Sequence, residues 1–489
     1  MTAPGAAADL SRHPPGLKVI FLTEMWERFS YYGMRALLVL YLVKSLGYAR
    51  ADALELYGAY TGLVYLTPLF GGYLADRYLG IRQGAVIGAI VMMCGHFAMA
   101  VPKLLHVALG LLIVGNGFFK PNTSSLVGML YGEHDPRRDG GYTIFYMGIN
   151  LGAFFSPLVA GTLGERFGWH WGFACAGVGM AIGLFTLLRW QHLLGNAGLR
   201  PGQARMGRAD WLRIAATSAA AIVFVAAAVA LWRPLSGVAA ALSPPAKLAL
   251  ALAALGGPVL ASKLLGRRAA AAPPLSRADW DAIAAICIVA FFVVFFWMGF
   301  EQAGGTMNLF ADNRTDRHVF GTEIPASWFQ SVNPLLIVLL APALAAAWTR
   351  LDVSKHALSD TAKQALGMLV LGLGFVVLAV AQDRAERFGT VGPQWLVAVY
   401  ALHTVGELML SPVGLAMVSK LAPARLASLL MGVWLLSSAA ANYLSGTLEA
   451  MLKGSGIPLY WFLVGSSVGA GLALLALTPW LNRLMRGRG

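Results

Sequence analysis

A short stretch near the start of the chain, TEMWERFSYYGMR (residues 23–35), places acids and bases inside a long apolar run. In a helix each residue advances about 100°, so Glu27, Arg28, Tyr31 and Arg35 all lie within about 60° of Glu24. Carboxylates and guanidinium groups on one stripe can pair with each other, bind a proton or hold a charged ligand. A charge at the centre of a bilayer costs about 2.5–3.5 kcal/mol or more, so the stripe must face protein or water.

Three later apolar stretches also contain a charged side chain. Together with the stripe they make three bases and four acids: Arg28, Arg35 and Lys120 against Glu24, Glu27, Glu301 and Glu407. One carboxylate is left over, and a buried carboxylate without a partner binds a proton more readily. The pattern favours a proton carrier in a cavity that opens to each side in turn. The alternative is a structural ion-pair cluster in which the charges only neutralise each other.

The elements that carry these residues are membrane helices. The chain has 489 residues, of which 58% are hydrophobic and 12% are charged, and its mean hydropathy is +0.65. About fourteen apolar stretches are long enough to cross a hydrocarbon layer of about 30 Å. Alternating segments of about ten residues, typical of a membrane β-barrel, do not occur. The sequence therefore predicts an all-α polytopic membrane protein.

The charge distribution predicts an orientation rather than a nucleic-acid site. The net charge is +14, but the bases are scattered over short loops instead of forming one patch. Loops on one side of the predicted membrane carry about twice as many bases as those on the other, which indicates cytoplasmic termini. No cleavable signal pattern begins the chain. We expect a multi-pass protein of the plasma (inner) membrane, in contact with the lipid bilayer and without nucleic acid.

Two halves are visible in the apolar pattern. VGNGFFKP (residues 114–121) and VGELMLSP (residues 405–412) share the frame V-G-x-x-x-x-x-P, and two other short matches follow the same order. Parallel repeats of this kind are the layout of major facilitator transporters, whose substrate site lies between the halves near the midplane. We predict a six-helix bundle at 1–195, a linker with two extra transmembrane helices at 196–280, and a second six-helix bundle at 281–489.

Three motifs resemble one transporter family. Glu24-x-x-Glu27-Arg28-Phe29-x-Tyr31-Tyr32 resembles the E-x-x-E-R-F-x-Y-Y signature of proton-dependent oligopeptide transporters. FYMGINLGAF (residues 145–154) resembles their helix-5 signature, and GGYLADRYLG (residues 71–80) resembles their loop between helices 2 and 3. The resemblance implies the major facilitator fold and a proton-coupled symporter that imports di- and tripeptides by alternating access.

The resemblance also implies a site for both ends of a zwitterionic peptide. It assigns the peptide carboxylate to Arg35 and Lys120, and the ammonium group to Glu407 with help from Asn150 and Asn333. The aromatic positions that would line the cavity are Tyr31, Tyr65, Trp297 and Trp434.

Gating and coupling roles follow from the same resemblance. Arg35 would pair with Glu301 across the halves, and Lys120 with Glu407, in pairs that break as the cavity changes sides. A histidine of some family members on helix 2 matches Gly58, which cannot titrate. Proton coupling is therefore expected from Glu24, Glu27, Arg28 and Glu301.

Other classes of function are less well supported. The alternative transporter moves another small solute, such as a drug, nitrate, a sugar or an amino-acid derivative, and would not need charges matched to both peptide ends. An enzyme is not expected, because the G-x-S-x-G, H-E-x-x-H and P-loop motifs are missing. We expect no metal and no cofactor, with protons as the coupling ion, and a monomer.

Overall fold

The computed structural model is almost entirely helical and describes residues 12–132, 135–199, 206–241, 276–353, 357–423 and 426–485. Short helical turns separate or extend the main helices. The fifteen described α-helices, numbered here in chain order, are α1 Gly16–Lys44, α2 Arg50–Leu66, α3 Pro68–Leu74, α4 Ile81–Met99, α5 Leu105–Met129, α6 Arg138–Ser156, α7 Trp169–Arg189, α8 Arg208–Ala241, α9 Arg277–Phe300, α10 Thr306–Asn313, α11 Val332–Asp352, α12 Asp360–Phe388, α13 Gln394–Leu421, α14 Ala427–Leu452 and α15 Leu459–Met485.

The non-α elements are short. Two strands, β1 His318–Val319 and β2 Thr322–Glu323, form an antiparallel hairpin in which His318 lies opposite Glu323. Its two turn residues, Phe320 and Gly321, both have positive φ, as a two-residue hairpin turn requires. The remaining segments are π-helical or 3₁₀ turns: Ala75–Leu79, Pro102–Leu104, Pro157–Gly161, Leu163–Phe167, Gln191–Leu194, Glu301–Gly304 and Ala326–Ser331.

Ten helical segments of the described residues are long and apolar enough to cross a membrane. Helix α1 is not one of the ten, because its charged stripe lowers its hydropathy, yet its 29 residues extend over about 43 Å. The protein is therefore a multi-pass helical membrane protein, as predicted. The second extra helix, predicted near 246–265, lies outside the described residues.

The helices pack as two groups with one helix attached to the side. In the N-bundle (residues 16–189), α1 packs on α6 and α7, and α4 packs on α5 and α7. In the C-bundle (residues 277–485), α12 packs on α13 and α15, and α9 packs on α14 and α15. Helix α8 lies against α4 and α5, and Gln83 Nε2 donates to Asp210 Oδ1 at 2.7 Å to hold its first turn. The extra helix is thus attached to the N-bundle. The C-bundle begins with α9 at Arg277, four residues before the predicted boundary at 281.

The two bundles meet closely at one face of the membrane. We call the face where α1 begins and α15 ends the terminal face, and the opposite one the far face. At the far face Lys44 Nζ lies 2.8 Å from Asp312 Oδ1, and Arg50 Nε lies 2.7 Å from Glu449 Oε1. Both ion pairs join the N-bundle to the C-bundle, so they hold the far face closed.

A glycine crossing lies just inside these ion pairs. Helices α2 and α14 pack together along their length, and Gly58 of one lies against Gly446 of the other. A Cβ on Gly58 would lie 2.8 Å from the Cα of Gly446, and one on Gly446 would lie 2.6 Å from the Cα of Gly58. These distances are too short for any side chain, so the position that corresponds to the helix-2 histidine of some family members has no room for one here.

Replacing Gly446 by alanine should therefore force α2 and α14 apart. Overpacking of this kind costs about 1–3 kcal/mol, and we expect Gly446→Ala to lower the thermal unfolding temperature. It should also reduce disulfide cross-linking between cysteines introduced at Arg50 and Glu449. The control is Gly465→Ala, since a Cβ on this α15 glycine would meet nothing within 4 Å. Equal stability and equal cross-linking in the two variants would show that the crossing does not determine closure of the far face.

Candidate functional site

A cavity lies between the two bundles, with an empty volume of about 900 Å³ including its mouth. Its N-bundle wall comes from α1, α2 and α6, and its C-bundle wall comes from α9, α11 and α13 together with the turn after α9. Seven of the residues predicted from the sequence line it: Arg35, Tyr65, Asn150, Trp297, Glu301, Asn333 and Glu407. Packing of the two halves thus brings together side chains that are up to 372 residues apart, the separation of Arg35 and Glu407.

The buried end of the charged stripe lies beside this cavity rather than on its wall. Glu24 and Glu27 are fully buried. The Arg28 guanidinium donates two hydrogen bonds to Glu27, from Nε to Oε2 at 2.5 Å and from Nη2 to Oε1 at 2.7 Å. Its Nε also lies 3.5 Å from Glu24 Oε1. This two-point pairing satisfies Glu27 without help from another helix.

Glu24 is held mainly by helix α5. Lys120 Nζ donates to Glu24 Oε1 at 2.5 Å, and Thr123 Oγ1 donates to Oε2 at 2.9 Å. Lys120 immediately precedes Pro121, which lies inside α5. The Glu24 side chain is completely buried while the Lys120 side chain remains 31% exposed, so this pair lies at the border of the buried cluster.

The predicted pair of Lys120 with Glu407 is not formed in this structure. Helix α5 packs within the N-bundle, and α1 lies nearer to Lys120 than α13 does, so the lysine binds Glu24 instead. Glu407 accepts a hydrogen bond from Asn333 Nδ2 at 2.8 Å. The same nitrogen also donates to Thr404 Oγ1 at 3.0 Å. Within the part of the chain that the structure describes, no basic side chain lies within 4 Å of this carboxylate.

The other predicted contact between the bundles is present. Arg35 Nη2 forms an ion pair with Glu301 Oε2, and both side chains are almost completely buried. Glu301 is the first residue of the 3₁₀ turn that follows α9, and this turn directs its carboxylate towards α1. Arg35 Nε also donates to the hydroxyl of Tyr57 on α2 at 2.6 Å. Three helices therefore meet at one guanidinium group.

Two of the four predicted cavity aromatics are placed elsewhere. Tyr31 is 3% exposed, and the Arg28 guanidinium carbon lies 4.9 Å from the centre of its ring. Trp434 is 4% exposed and packs against Gly414 of α13. Both rings are buried inside their own bundle and do not line the cavity described here, so this part of the prediction is corrected. Tyr65 and Trp297 do line it.

The structure adds residues that the sequence did not single out. Tyr57 is the most important, because it is the third partner of the Arg35 pair. No local signal marks it: the adjacent Leu56 and Gly58 are uncharged, and its role depends on where α1 passes. Tyr32 was part of the quoted signature but was given no role. The polar or aromatic cavity residues to which no role was assigned are Tyr32, Tyr146, Phe300, Gln330, Tyr400 and His403, and Tyr57 itself is not among the lining residues.

The arrangement suits a small dipolar solute. The charged side chains on the cavity wall are one guanidinium, already paired, and two carboxylates, of which Glu407 has only neutral hydrogen-bond donors. An ammonium group would compensate Glu407. A carboxylate could be met by Arg35, whereas Lys120 is not among the residues that line the cavity in this structure. The described residues include no group of three or more His, Cys, Asp or Glu that could hold a metal ion.

Comparison with known proteins places the chain in a family. The model of the POT family, the proton-dependent oligopeptide transporters, matches residues 84–201 and 275–458. A peptide transporter of Yersinia enterocolitica subsp. palearctica serotype O:3 is 35% identical over 97% of this chain and 95% of its own length. A dipeptide and tripeptide permease B of Xenorhabdus bovienii is 32% identical over 98% of each chain.

Solved structures agree with the sequence relatives. A crystal structure of a peptide transporter POT in complex with sulfate superposes with a TM-score of 0.80 and 36% identity, covering 98% of this chain and 96% of that one. The likeness extends over both bundles, as the major facilitator fold requires. This chain belongs to the POT family.

Proposed function

We propose that this protein is a proton-coupled symporter that imports di- and tripeptides by alternating access. The observation that carries the proposal is Glu407, a carboxylate with neutral donors only, which shares its cavity with the guanidinium of Arg35 from the N-bundle. Relatives whose names describe peptide transport and di- and tripeptide transport support the choice of substrate. We further propose that the protein acts as a monomer in the plasma (inner) membrane, with the terminal face cytoplasmic and without a cofactor.

Peptides of different sequence share only their charged ends and their backbone. In this proposal Glu407 binds the peptide ammonium, with Asn333 and Asn150 nearby, and Arg35 and Lys120 bind the carboxylate. Tyr65 and Trp297 offer aromatic surface that tolerates varied side chains. Because the two ends are bound by opposite bundles, a dipolar ligand draws the bundles together.

In this proposal the proton binds carboxylates that already hold a basic side chain. Lys120 has three N–H donors, and Glu24 accepts from one of them in this structure, so the positive charge is already partly compensated before a peptide carboxylate arrives. A proton on Glu24 removes the charge that holds the lysine and frees its ammonium group. Arg28 keeps Glu27, the second acid of the stripe, neutralised while Glu24 carries the proton.

A proton on Glu301 has a corresponding effect on the contact of Arg35 with Glu301 between the bundles. Arg35 then loses its charged partner in the C-bundle, and the far face is held only by the remaining contacts, among them Lys44 with Asp312 and Arg50 with Glu449. Opening to the far face requires these pairs to break. Charge pairs that form in one state and break in the other supply the two-state element that alternating access needs.

The test of the proposal is uptake of labelled dialanine into proteoliposomes, with and without an inward proton gradient. We expect accumulation only with the gradient. Lack of dialanine uptake, together with uptake of a different solute such as nitrate or a sugar, would overturn the assigned substrate.

Removing the basic group at residue 120 should abolish this uptake. Lys120→Ala leaves the peptide carboxylate with one partner fewer in a largely dehydrated site, and loss of one partner of a buried charge pair costs about 3–5 kcal/mol. Affinity for dialanine should fall by roughly 100-fold or more. The matched control is Lys103→Ala, an exposed lysine outside the cavity, which should transport normally. Near-normal affinity in Lys120→Ala would show that the carboxylate site is elsewhere.

Tyr57→Phe should weaken the contact of Arg35 with α2 and the C-bundle without altering any charge. The lost hydrogen bond ends on a charged group, for which about 1.5–3 kcal/mol is typical, and we expect a lower unfolding temperature. Tyr443→Phe, which removes the hydroxyl of a 48% exposed tyrosine on α14, should have no such effect. The effect of Tyr57→Phe on the unfolding temperature should also disappear in an Arg35→Ala background. Additive effects of the two substitutions would contradict a coupling between Tyr57 and Arg35.

Glu27→Gln separates proton coupling from binding. Glutamine has nearly the shape of a protonated glutamate but cannot release the proton, so proton-driven accumulation should be abolished. Exchange of peptide for peptide, which moves no net proton, should persist in the same purified protein. Glu55→Gln, an exposed glutamate on α2, is the control and should behave as wild type in both assays. Proton-driven uptake by Glu27→Gln at the wild-type level would exclude the coupling role.

A further inference from the structure

The outer surface of the N-bundle has a groove that the transport proposal does not use. It follows the seam between α1 and α6 and has two parts. The part at the terminal face is lined by basic and apolar residues, among them Arg12, Lys18, Leu22 and Ile144. The deeper part is lined almost only by apolar residues of α1, α6 and α7, among them Met25, Trp26, Phe29, Leu151, Phe155 and Ile182.

The two parts lie in line along the same α1–α6 seam. On α1, Lys18, Leu22, Met25 and Phe29 follow each other at intervals of three or four residues, so they lie on one stripe. The same spacing connects the α6 residues on the other wall, from Ile144 to Leu151 and Phe155. From Lys18 to Phe29 the seam is about 16 Å long. This length is about half of the ~30 Å hydrocarbon thickness, which is the depth of one leaflet.

The groove lies on the side of α1 that faces away from the charged stripe. With about 100° per residue, Lys18, Leu22, Met25, Trp26 and Phe29 are roughly 100–160° from Glu24. Leu17 and Phe21, at about 20° and 60°, form the inner edge of the groove. Leu22 is 38% exposed and Phe155 is 46% exposed, so both present apolar surface on the outside of the bundle. This surface is therefore open to the bilayer and not to the peptide cavity.

Positive charge is concentrated at the terminal-face end of the groove. Lys18 is exposed, and no acidic partner lies within 4 Å of it in the described chain. Arg137 is neutralised by Asp135, at 2.6 Å between Nη2 and Oδ2; its hydrogen bonds lower the pKa of this aspartate to about 2. Arg137 also donates to the backbone carbonyl of Arg12 at 2.6 Å, which holds residue 12 close to the start of α1. Lys18 and the Arg12 guanidinium thus remain to attract an anion.

We infer that this α1–α6 groove binds one anionic phospholipid, with its phosphate at Lys18 and Arg12 and one acyl chain along the apolar seam. Basic residues at the membrane surface attract anionic headgroups, and an apolar groove one leaflet deep accepts an acyl chain but no polar ligand. The bound lipid packs against the outer side of α1, the helix whose inner side carries the charges, and ties it to α6 and α7.

Binding to the purified full-length protein tests the inference directly. Phosphatidylglycerol and phosphatidylcholine with identical chains are titrated into the detergent-solubilised protein, and lipid adducts are counted by native mass spectrometry. We expect a one-to-one adduct with phosphatidylglycerol that phosphatidylcholine does not match. Arg12→Gln combined with Lys18→Gln should weaken it roughly 30-fold. The charge-matched control, Lys103→Gln combined with Lys453→Gln, removes two exposed lysines that do not line the groove and should leave binding unchanged.

A second readout locates the acyl chain. Phosphatidylglycerol brominated in mid-chain should quench tryptophan fluorescence in a saturable way, and Trp26→Phe should remove the saturable part. Excess glycerol phosphate should not compete, because it has the charge but no chain. Equal binding of both lipids, equal loss in the control variant, competition by glycerol phosphate, or quenching that is unchanged in Trp26→Phe would each overturn the inference. None of these readouts depends on transport, so they remain informative if the proposed substrate is wrong.

Discussion

The structure depends on the cost of burying charge in α1. Glu24, Glu27, Arg28 and Arg35 lie on one membrane helix, and each would be strongly destabilising without a partner. Two of the four, Arg28 and Glu27, neutralise each other on the helix itself. The other two require partners from elsewhere. Glu24 takes one from α5 within its own bundle, and Arg35 takes one from the C-bundle. The requirement to pair these charges therefore orders both the interior of the N-bundle and its contact with the C-bundle.

The two kinds of partner have different consequences. The contact of Glu24 with Lys120 can persist while the bundles move, because both residues belong to the N-bundle. In the proposed alternating access the contact of Arg35 with Glu301 has to break, because it crosses between bundles at the closed side of the cavity. Tyr57 and the Gly58–Gly446 crossing lie on the same α2 helix, so polar pairing and close backbone packing act together at the far face. A rearrangement that opens this face must release both at once.

Helix α1 has distinct tasks on its two sides. Its charged stripe faces the protein interior, and its apolar stripe from Lys18 to Phe29 forms one wall of the lipid-facing groove. The helix can present both because i, i+3 and i+4 residues share a side while residues half a turn away do not. A ligand on either side acts on the same rigid element. The attachment of α8 to α4 and α5 leaves this side of the N-bundle uncovered by the extra helix.

Much of the class and of the charged site could be predicted from the sequence by itself. Apolar stretches of membrane length specify helices, because a backbone in lipid must satisfy its own hydrogen bonds. The stripe of Glu24, Glu27, Arg28 and Arg35 follows from the helical repeat, and its inward orientation follows from the cost of charge in lipid. Of the stripe only Arg35 lines the cavity, and the family resemblance assigned the site roles of the seven predicted residues found there. What the sequence could not decide was which partner each charge takes. Lys120 was assigned to Glu407 but binds Glu24, because the packing of α5 against α1 sets that distance and the order of residues along the chain does not. Tyr31 and Trp434 were assigned to the cavity by the family resemblance, yet both are buried inside their own bundles, Trp434 against Gly414. Tyr57 had no signal at all, because its role exists only where α2 passes Arg35 and Glu301, and such a meeting of three helices is a property of the tertiary structure alone.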